Sequence, residues 1–263
     1  MAWVFCVAFL LTAVLIVFAF SGDVLWFPAA VSEFARDYDD HFVLTLVLTG
    51  FFFVLVHIVL AFIVVRFRPS TTPRSAWRGN MRWVWATAGT MALLDLGLAL
   101  GSEELWGRLH LNEGAANPIV VQAIGQQFVW NMRYPGPDGE FGRTDLRFVN
   151  DEMGNPLGVD PDDPAGRDDI NFPTLVVPVD RPIELKLGSK DVLHSFFVRE
   201  LRLKQDAVPG ILTTLRFTAD TVGRYEVPCA ELCGLGHQRM RTFLEVVEQS
   251  EYDARLQEYL DLR

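Results

Sequence analysis

The sequence predicts a membrane-anchored all-β protein: transmembrane helices at the N-terminus, then a β-sandwich or barrel. Three observations lead there. Half of the 263 residues are hydrophobic although the formal net charge is −10, and the two properties are segregated, apolar residues first and acidic residues after. The first part holds three nearly uncharged segments, each close to the ~20 residues that cross a hydrocarbon core. From Asn117 onward, short β-branched or alternating runs follow one another between turn residues.

The helical segments come first. Residues 3–20 carry no charge, 42–65 hold His57 as their only titratable group, and 83–101 hold one acid, Asp95. Between the second and third lie Arg66, Arg68, Arg74, Arg78 and Arg82 with no acid, and the excess of positive charge places that loop in the cytoplasm. The acidic loop with Asp23, Glu33, Asp37, Asp39 and Asp40, and everything from Ser102 on, is then outside. The first segment reads either as a retained helix or as a cleaved signal peptide ending at Ala19-Phe20-Ser21; it has no basic n-region, which favours retention. Cys6, in this apolar run, reads as a filler facing lipid or a helix. An ionisable group inside a membrane segment is costly and points to function. His57 and Asp95 are therefore candidates for a proton relay, against the plainer reading of a helix–helix hydrogen bond or a group facing a cavity. The expected division is 1–104 for the membrane helices and 105–263 for the outer domain.

The strand series then runs through 118–130, 175–178, 183–187, 193–198, 212–217, 223–227 and 243–247. Residues 135–169 form an insert rich in Pro, Gly and Asp, densest at 155–166. It reads as a surface excursion, with a docking surface or a calcium-binding loop as the sharper alternatives. The tail at 251–263 suggests a short amphipathic helix. No C-x-x-C-H occurs, so no covalent haem c is expected. The acidic outer part disfavours nucleic acid as a partner. It could steer a basic protein, or simply keep the domain soluble.

The densest chemistry is Cys229-Ala-Glu-Leu-Cys233-Gly-Leu-Gly-His237-Gln-Arg-Met240, a C-x3-C-x3-H-x2-M pattern, with His194 upstream in Val192-Leu193-His194-Ser195-Phe196-Phe197. Thiolate, imidazole and thioether together suit copper moving between its two common oxidation states. One blue-copper site needs one Cys; two Cys allow two ions to share them. A disulfide in an oxidising compartment and a structural zinc site, for which C-x2-C is more usual, are the alternatives.

Together these residues resemble subunit II of the haem–copper respiratory oxidases, most strongly over 117–247. The resemblance implies a cupredoxin-like Greek-key β-barrel bearing a dinuclear copper centre, CuA. In it His194 and His237 each cap one copper, with Cys229 and Cys233 bridging. Met240 and the backbone carbonyl of Glu231 would be weak ligands, and the Glu231 side chain would hold a magnesium ion shared with the catalytic subunit. It places electron uptake at Phe128, where the family has a Trp, and at Trp130. Arg133 and Tyr134 would face the haem-bearing subunit, and Asp206-Ala-Val-Pro-Gly210 would shape that interface. The family's Glu-x-x-Trp at a proton-channel mouth is Asn80-Met-Arg-Trp83 here, without the carboxylate, and a third helix is an addition to the usual two. The implied protein is a multi-pass subunit of a bacterial-type inner membrane, bathed in lipid, with its CuA domain on the periplasmic side. It would accept electrons from cytochrome c or another one-electron donor and pass them to haem in catalytic subunit I for reduction of dioxygen to water. The same site also serves CuA nitric oxide reductases of the superfamily, and a copper-delivery protein is the reading from a different class.

Overall fold

The computed structural model describes residues 2–21, 28–67, 79–110 and 116–261. Asp23, Arg68, Arg74 and Arg78 of the two charged loops lie outside the described residues. The chain divides into two compact units, Met1–Phe27 with Tyr38–Leu105, and Pro28–Asp37 with Trp106–Arg263.

The first unit is helical. Helix α1 covers Ala2–Ser21, α2 Glu33–Arg66 and α3 Met81–His110. Two of them, Glu33–Arg66 and Met81–Leu109, are long and apolar enough to cross a membrane, while the apolar stretch of α1, Trp3–Ala19, is shorter. Helices α2 and α3 extend beyond the apolar bands expected for them because polar residues continue the helical hydrogen bonding on either side. Each start is set by a capping side chain. Ser32 Oγ accepts from Ala35 N–H at 3.1 Å, and Asn80 Oδ1 accepts from Arg82 N–H at 3.0 Å. Cys6 faces a helix: it is buried, with its Sγ 3.2 Å from the Ala61 carbonyl.

The second unit is a two-layer β-domain. Its first sheet has the order β3-β2-β1-β5-β8, from Ile170–Phe172, Val129–Tyr134, Ile119–Gln126, Pro182–Ser189 and Thr213–Thr218. Only the β1–β5 pair in it is parallel. The second sheet has the order β4-β10-β9, from Leu175–Pro178, Arg241–Val247 and Gly223–Pro228. A hairpin of β6, His194–Val198, and β7, Leu203–Ala207, completes that layer. Bridges tie the hairpin to both sheets, Phe196 to Cys229 and Ser189 to Pro209. This is the membrane-anchored, cupredoxin-like β-fold that the sequence predicts. The core is made of inward-facing alternate residues, among them Val121 and Ala123 of β1, Leu185 and Leu187 of β5, and Leu244 and Val246 of β10. A one-residue slip in any of these strands would turn the whole set to solvent. Helix α4, Gln249–Asp261, closes one edge and buries Tyr252.

Two strands lie outside the expected series. The three-residue β3 follows the insert directly. In β7 the sequence Leu-Lys-Gln-Asp-Ala has poor intrinsic strand preference, overridden by five paired positions with β6. The expected run 118–130 is in fact two strands, turned at Gln127-Phe128, where the peptide bond is cis.

Arg133 and Tyr134 do not face outward toward a partner, contrary to the expectation from the family; both are buried at 1% exposure. They sit on opposite faces of β2, and both faces are covered. The Tyr134 hydroxyl donates to the Val176 carbonyl at 2.8 Å and accepts from the Val176 N–H at 2.7 Å. Arg133 pairs with Asp169 and donates to the Gly142 carbonyl at 2.6 Å and to Gln122 Oε1 at 3.3 Å, with the Phe141 ring 5.3 Å from its guanidinium. Gly142 and Asp169 belong to the insert, so Arg133 is the peg on which the insert hangs. Asp151 is a second attachment of the insert, accepting from Gln126 at 2.8 Å and from Lys190 at 3.0 Å.

Candidate metal centre

The start of β6 and the β9–β10 loop converge on one corner of the β-domain. His194 opens β6, Cys229 follows β9, and Cys233 and His237 stand on the loop between β9 and β10. Met240 ends that loop just before β10. The loop is closed at its base, where Cys229 N–H donates to the Met240 carbonyl at 2.9 Å, and Ala230 N–H reaches the Ser195 carbonyl of β6 at 2.9 Å. Those two backbone bonds bring residues from distant parts of the chain within side-chain reach of one another.

The donors fall into two similar halves. The Cys229 and Cys233 sulfurs are 3.8 Å apart, as free thiols, well beyond the ~2.05 Å of a disulfide. His194 Nδ1 lies 3.8 Å from Cys229 Sγ, and the Glu231 carbonyl oxygen 3.2 Å from the same sulfur. On the other side, His237 Nδ1 lies 3.6 Å and Met240 Sδ 3.7 Å from Cys233 Sγ. Each sulfur therefore has one imidazole and one weak donor at hand. Among the described residues, His194, Cys229 and Cys233 form the one group of three or more such side chains able to hold a metal ion. His237 is outside that mutually close group, so a single tetrahedral ion would not gather both imidazoles and both thiols. A pair of soft ions sharing the two thiolates uses every donor, and the residues present fit that group. Burial, and after it the neighbouring Cys229, push the Cys233 thiol up to about 11. Metal binding at neutral pH therefore has to displace protons.

The surroundings hold the ligands in place. Asp191, three residues before His194, accepts from His194 Nε2 at 2.8 Å. That contact puts the proton on Nε2 and leaves Nδ1 free to face Cys229, the usual carboxylate–imidazole arrangement behind a metal ligand. Burial pushes the Asp191 carboxyl up, but donation from the Gln127 N–H, His194 and the Val192 N–H outweighs it and holds the group below the usual carboxylate range. Trp130 is buried at 1% exposure, edge-on to both His194 (5.9 Å) and Phe196 (5.6 Å). Phe128, 39% exposed, covers the loop from outside. A Cβ on Gly234 would lie 3.2 Å from its ring, and one on Gly236 would overlap it. A Cβ on Gly125 would lie 2.7 Å from His194 Cδ2, so glycine there is what lets the imidazole lie against β1.

The candidate copper ligands thus come together, and Phe128 and Trp130 flank them. His57 and Asp95 are not joined by any hydrogen bond or ion pair among the described residues. His57 Nδ1 is bonded to the Phe53 carbonyl one turn back at 2.8 Å, its ring against Phe53 and Phe9, and Asp95 is exposed on α3. Asp206 pairs with Ser195 across the hairpin and forms an ion pair with Lys204 at 2.9 Å, while Gly210 turns the chain with φ +76°. Sequence reasoning missed Asp191, Gln127 and Gly125. The one available signal was proximity: Asp191 precedes His194 in a tight turn, and Gln127 adjoins Phe128.

Fold and site together define a membrane-anchored, cupredoxin-like domain with a soft-donor pocket able to hold metal. The family described as "Cytochrome C oxidase subunit II, periplasmic domain" matches residues 119–247. The chain is 35% identical to "Alternative cytochrome c oxidase subunit 2" of Bradyrhizobium diazoefficiens over 229 residues, covering 84% of this chain and 79% of that one. It is 32% identical to "Cytochrome c oxidase subunit 2" of Synechocystis sp. over 250 residues, covering 86% and 73%. Among solved structures, the periplasmic domain of subunit II of cytochrome oxidase of Bradyrhizobium japonicum aligns at 28% identity. That alignment covers 55% of this chain and 95% of that one, with a TM-score of 0.41. The chain belongs to the cytochrome c oxidase subunit II family, a family of oxidoreductase subunits.

Proposed function

We propose that this chain is the electron-transfer subunit of a respiratory haem–copper oxidase. It takes single electrons from an external donor at a dinuclear CuA centre and delivers them to haem in catalytic subunit I, where dioxygen is reduced to water. The observation that carries the reading is the pair of half-sites: two sulfurs 3.8 Å apart, each with its own imidazole. When bound, a copper pair would supply a one-electron redox couple.

The chain's own residues do the rest. Cys229, Cys233, His194 and His237 would hold the ions, with Met240 and the Glu231 carbonyl as weak donors. Burial of both cysteines and of Met240 keeps water from the sulfurs, and a ligand set fixed by packing limits rearrangement as charge changes. Around the loop, Phe128, Val129, Leu193, Leu232 and Leu235 present an apolar rim, Leu235 at 98% exposure. Two of the charged neighbours form ion pairs, Lys190 with Asp151 and Arg241 with Glu226. We place the donor on this rim, over Phe128, with Trp130 packed behind His194. The half-buried Glu231 carboxylate is assigned, on family resemblance, to a magnesium ion shared with the catalytic subunit. A relay through His57 and Asp95 is left out, because among the described residues nothing joins the two. Nitric oxide as acceptor is also set aside: no structural observation favours it, and the relatives above carry oxidase names. Retention by two apolar helices argues against a mobile copper-delivery role.

The test is metal content and electron paramagnetic resonance of the full-length chain loaded with copper. Two coppers and a mixed-valence signal with the electron shared by both nuclei are expected. A one-copper spectrum, or rapid loss of the metal to a weak chelator, would overturn the proposal.

A further inference from the structure

The turn between β1 and β2 touches both halves of the ligand set, although it contributes no ligand. The Gln127 side-chain amide donates to the Cys233 carbonyl at 2.5 Å. The backbone N–H of the same residue donates to Asp191 Oδ2 at 2.8 Å. The other Asp191 oxygen accepts from His194 Nε2 at 2.8 Å. One residue therefore links the carbonyl of a thiol ligand on the β9–β10 loop to the imidazole at the start of β6. Its neighbour Phe128 adds a steric stop, since its ring fills the space that a side chain at 234 or 236 would need.

We propose that this turn is a clamp and that Gln127 is a positioning residue. It sets the distance and angle between the His194 half and the Cys233 half of the centre, and so sets how tightly the two ions are kept and how evenly they share an electron. The inference rests on the dinuclear reading above. The physical need for it is plain in the loop. Gly234 and Gly236 give the segment after Cys233 wide conformational freedom, and Gly234 stands at φ +136°, a region that side chains disfavour. Holding such a segment in one shape costs conformational entropy, so an external donor to the Cys233 carbonyl limits the states the loop can sample before metal arrives. Gln127 is itself exposed, so removing its amide leaves no cavity in the core. The competing reading is a solvent-exposed turn bond that adds modestly to stability and has no bearing on the metal.

Full-length wild type, Gln127→Met, Asp191→Asn, the double variant and Val121→Ala distinguish the two. Gln127→Met keeps the length and the backbone N–H but loses the amide donor. Val121→Ala thins the core of β1 and lowers stability without touching the clamp. The readouts are copper retention against a chelator, the hyperfine pattern of the loaded centre and the melting temperature of the metal-free chain. Loss of partners behind a metal ligand typically weakens retention ~10–100-fold. We expect that loss, with an altered hyperfine pattern, for Gln127→Met. The double variant should lose less than the product of the two single losses, because both interrupt one chain of bonds. Val121→Ala should melt lower with retention unchanged. Retention within twofold of wild type in Gln127→Met with an unchanged spectrum would overturn the clamp, as would an equal loss in Val121→Ala. A wild-type chain that takes up one copper or none fails at the earlier step and removes the dinuclear reading itself.

Discussion

Replacing Arg133 by Met tests whether the insert is held by a buried charge pair. In the native chain the guanidinium and the Asp169 carboxylate are each 1% exposed. Arg133 also serves the Gly142 carbonyl and Gln122. Arg133→Met is close in volume and leaves Asp169 charged, buried and without a cation. Removing one partner of a buried pair costs ~3–5 kcal/mol. At ~2–4 °C per kcal/mol for a domain of this size, the melting point should fall by roughly 6–20 °C. The pH dependence has a definite sign. Burial already raises the Asp169 carboxyl above its ordinary value, against the opposing pull of Arg133, and without Arg133 it rises further. A carboxyl whose folded value is raised binds its proton more readily when folded, so stability grows as pH falls from the folded value to the unfolded one. The defect of Arg133→Met should therefore be largest at neutral pH and shrink in acid as Asp169 takes up its proton. Arg133→Met with Asp169→Leu, which removes both charges, should recover most of the loss. Thermal melts of the full chain in detergent, followed by Trp fluorescence at pH 7.5 and 5, supply the measurement. A single variant that loses under 1 kcal/mol, or a double variant no better than the single, refutes the peg.

Gly125→Ala should press on the His194 ring, with a strain of ~1–3 kcal/mol, and weaken copper retention roughly tenfold or more by chelator competition. Gly50→Ala, whose added Cβ meets nothing within 4 Å, should leave retention unchanged. Leu235→Glu should raise the KM for a reduced cytochrome c about tenfold, since a buried Leu is worth ~1.5–3 kcal/mol. It should also make turnover salt-dependent, whereas the wild type should be nearly insensitive if its donor docks on the proposed apolar rim; a strong salt dependence of the wild type would count against that rim. Glu184 is held below the usual carboxylate range by Lys186 first and then by Arg216, against the opposing effect of burial. Its contribution is fully present above the ordinary carboxylate value and is lost as pH falls through its lowered one. Glu184→Gln should thus melt lower at neutral pH by the equivalent of about 0.5–1 kcal/mol, and should match wild type in strong acid.

How much of this was legible beforehand depends on the distance over which each contact acts. The membrane helices were visible because an apolar band of the right length needs no partner to be recognised, although its polar extensions, from Glu33 and to His110, were not. Strands with period-two burial, such as β5 and β10, announced themselves. The charged β7 did not, because it is a strand only by pairing with β6. Arg133 was turned toward a partner by the family resemblance, whereas the insert folding back over β2 makes that face an interior.

The ligands and their positioners divide along the same line. Cys229, Cys233, His237 and Met240 share one short loop, where backbone connectivity already limits how far apart the donors can be, so spacing alone carries chemical meaning. Gln127 holds that loop from the β1–β2 turn and Asp191 holds His194 from the β5–β6 connection, and no spacing rule relates those places. Their side chains are also ordinary turn residues, and either would pass for solvated. What distinguishes them is that three bonds run in series, from the Cys233 carbonyl through residue 127 to Asp191 and on to His194. A series of bonds transmits displacement: moving the turn would shift an imidazole and a thiol together. Most of the donor types are thus written locally in one loop, whereas the fit between the two half-sites depends on long-range folding. Variation at the turn can therefore tune the centre without altering a single ligand.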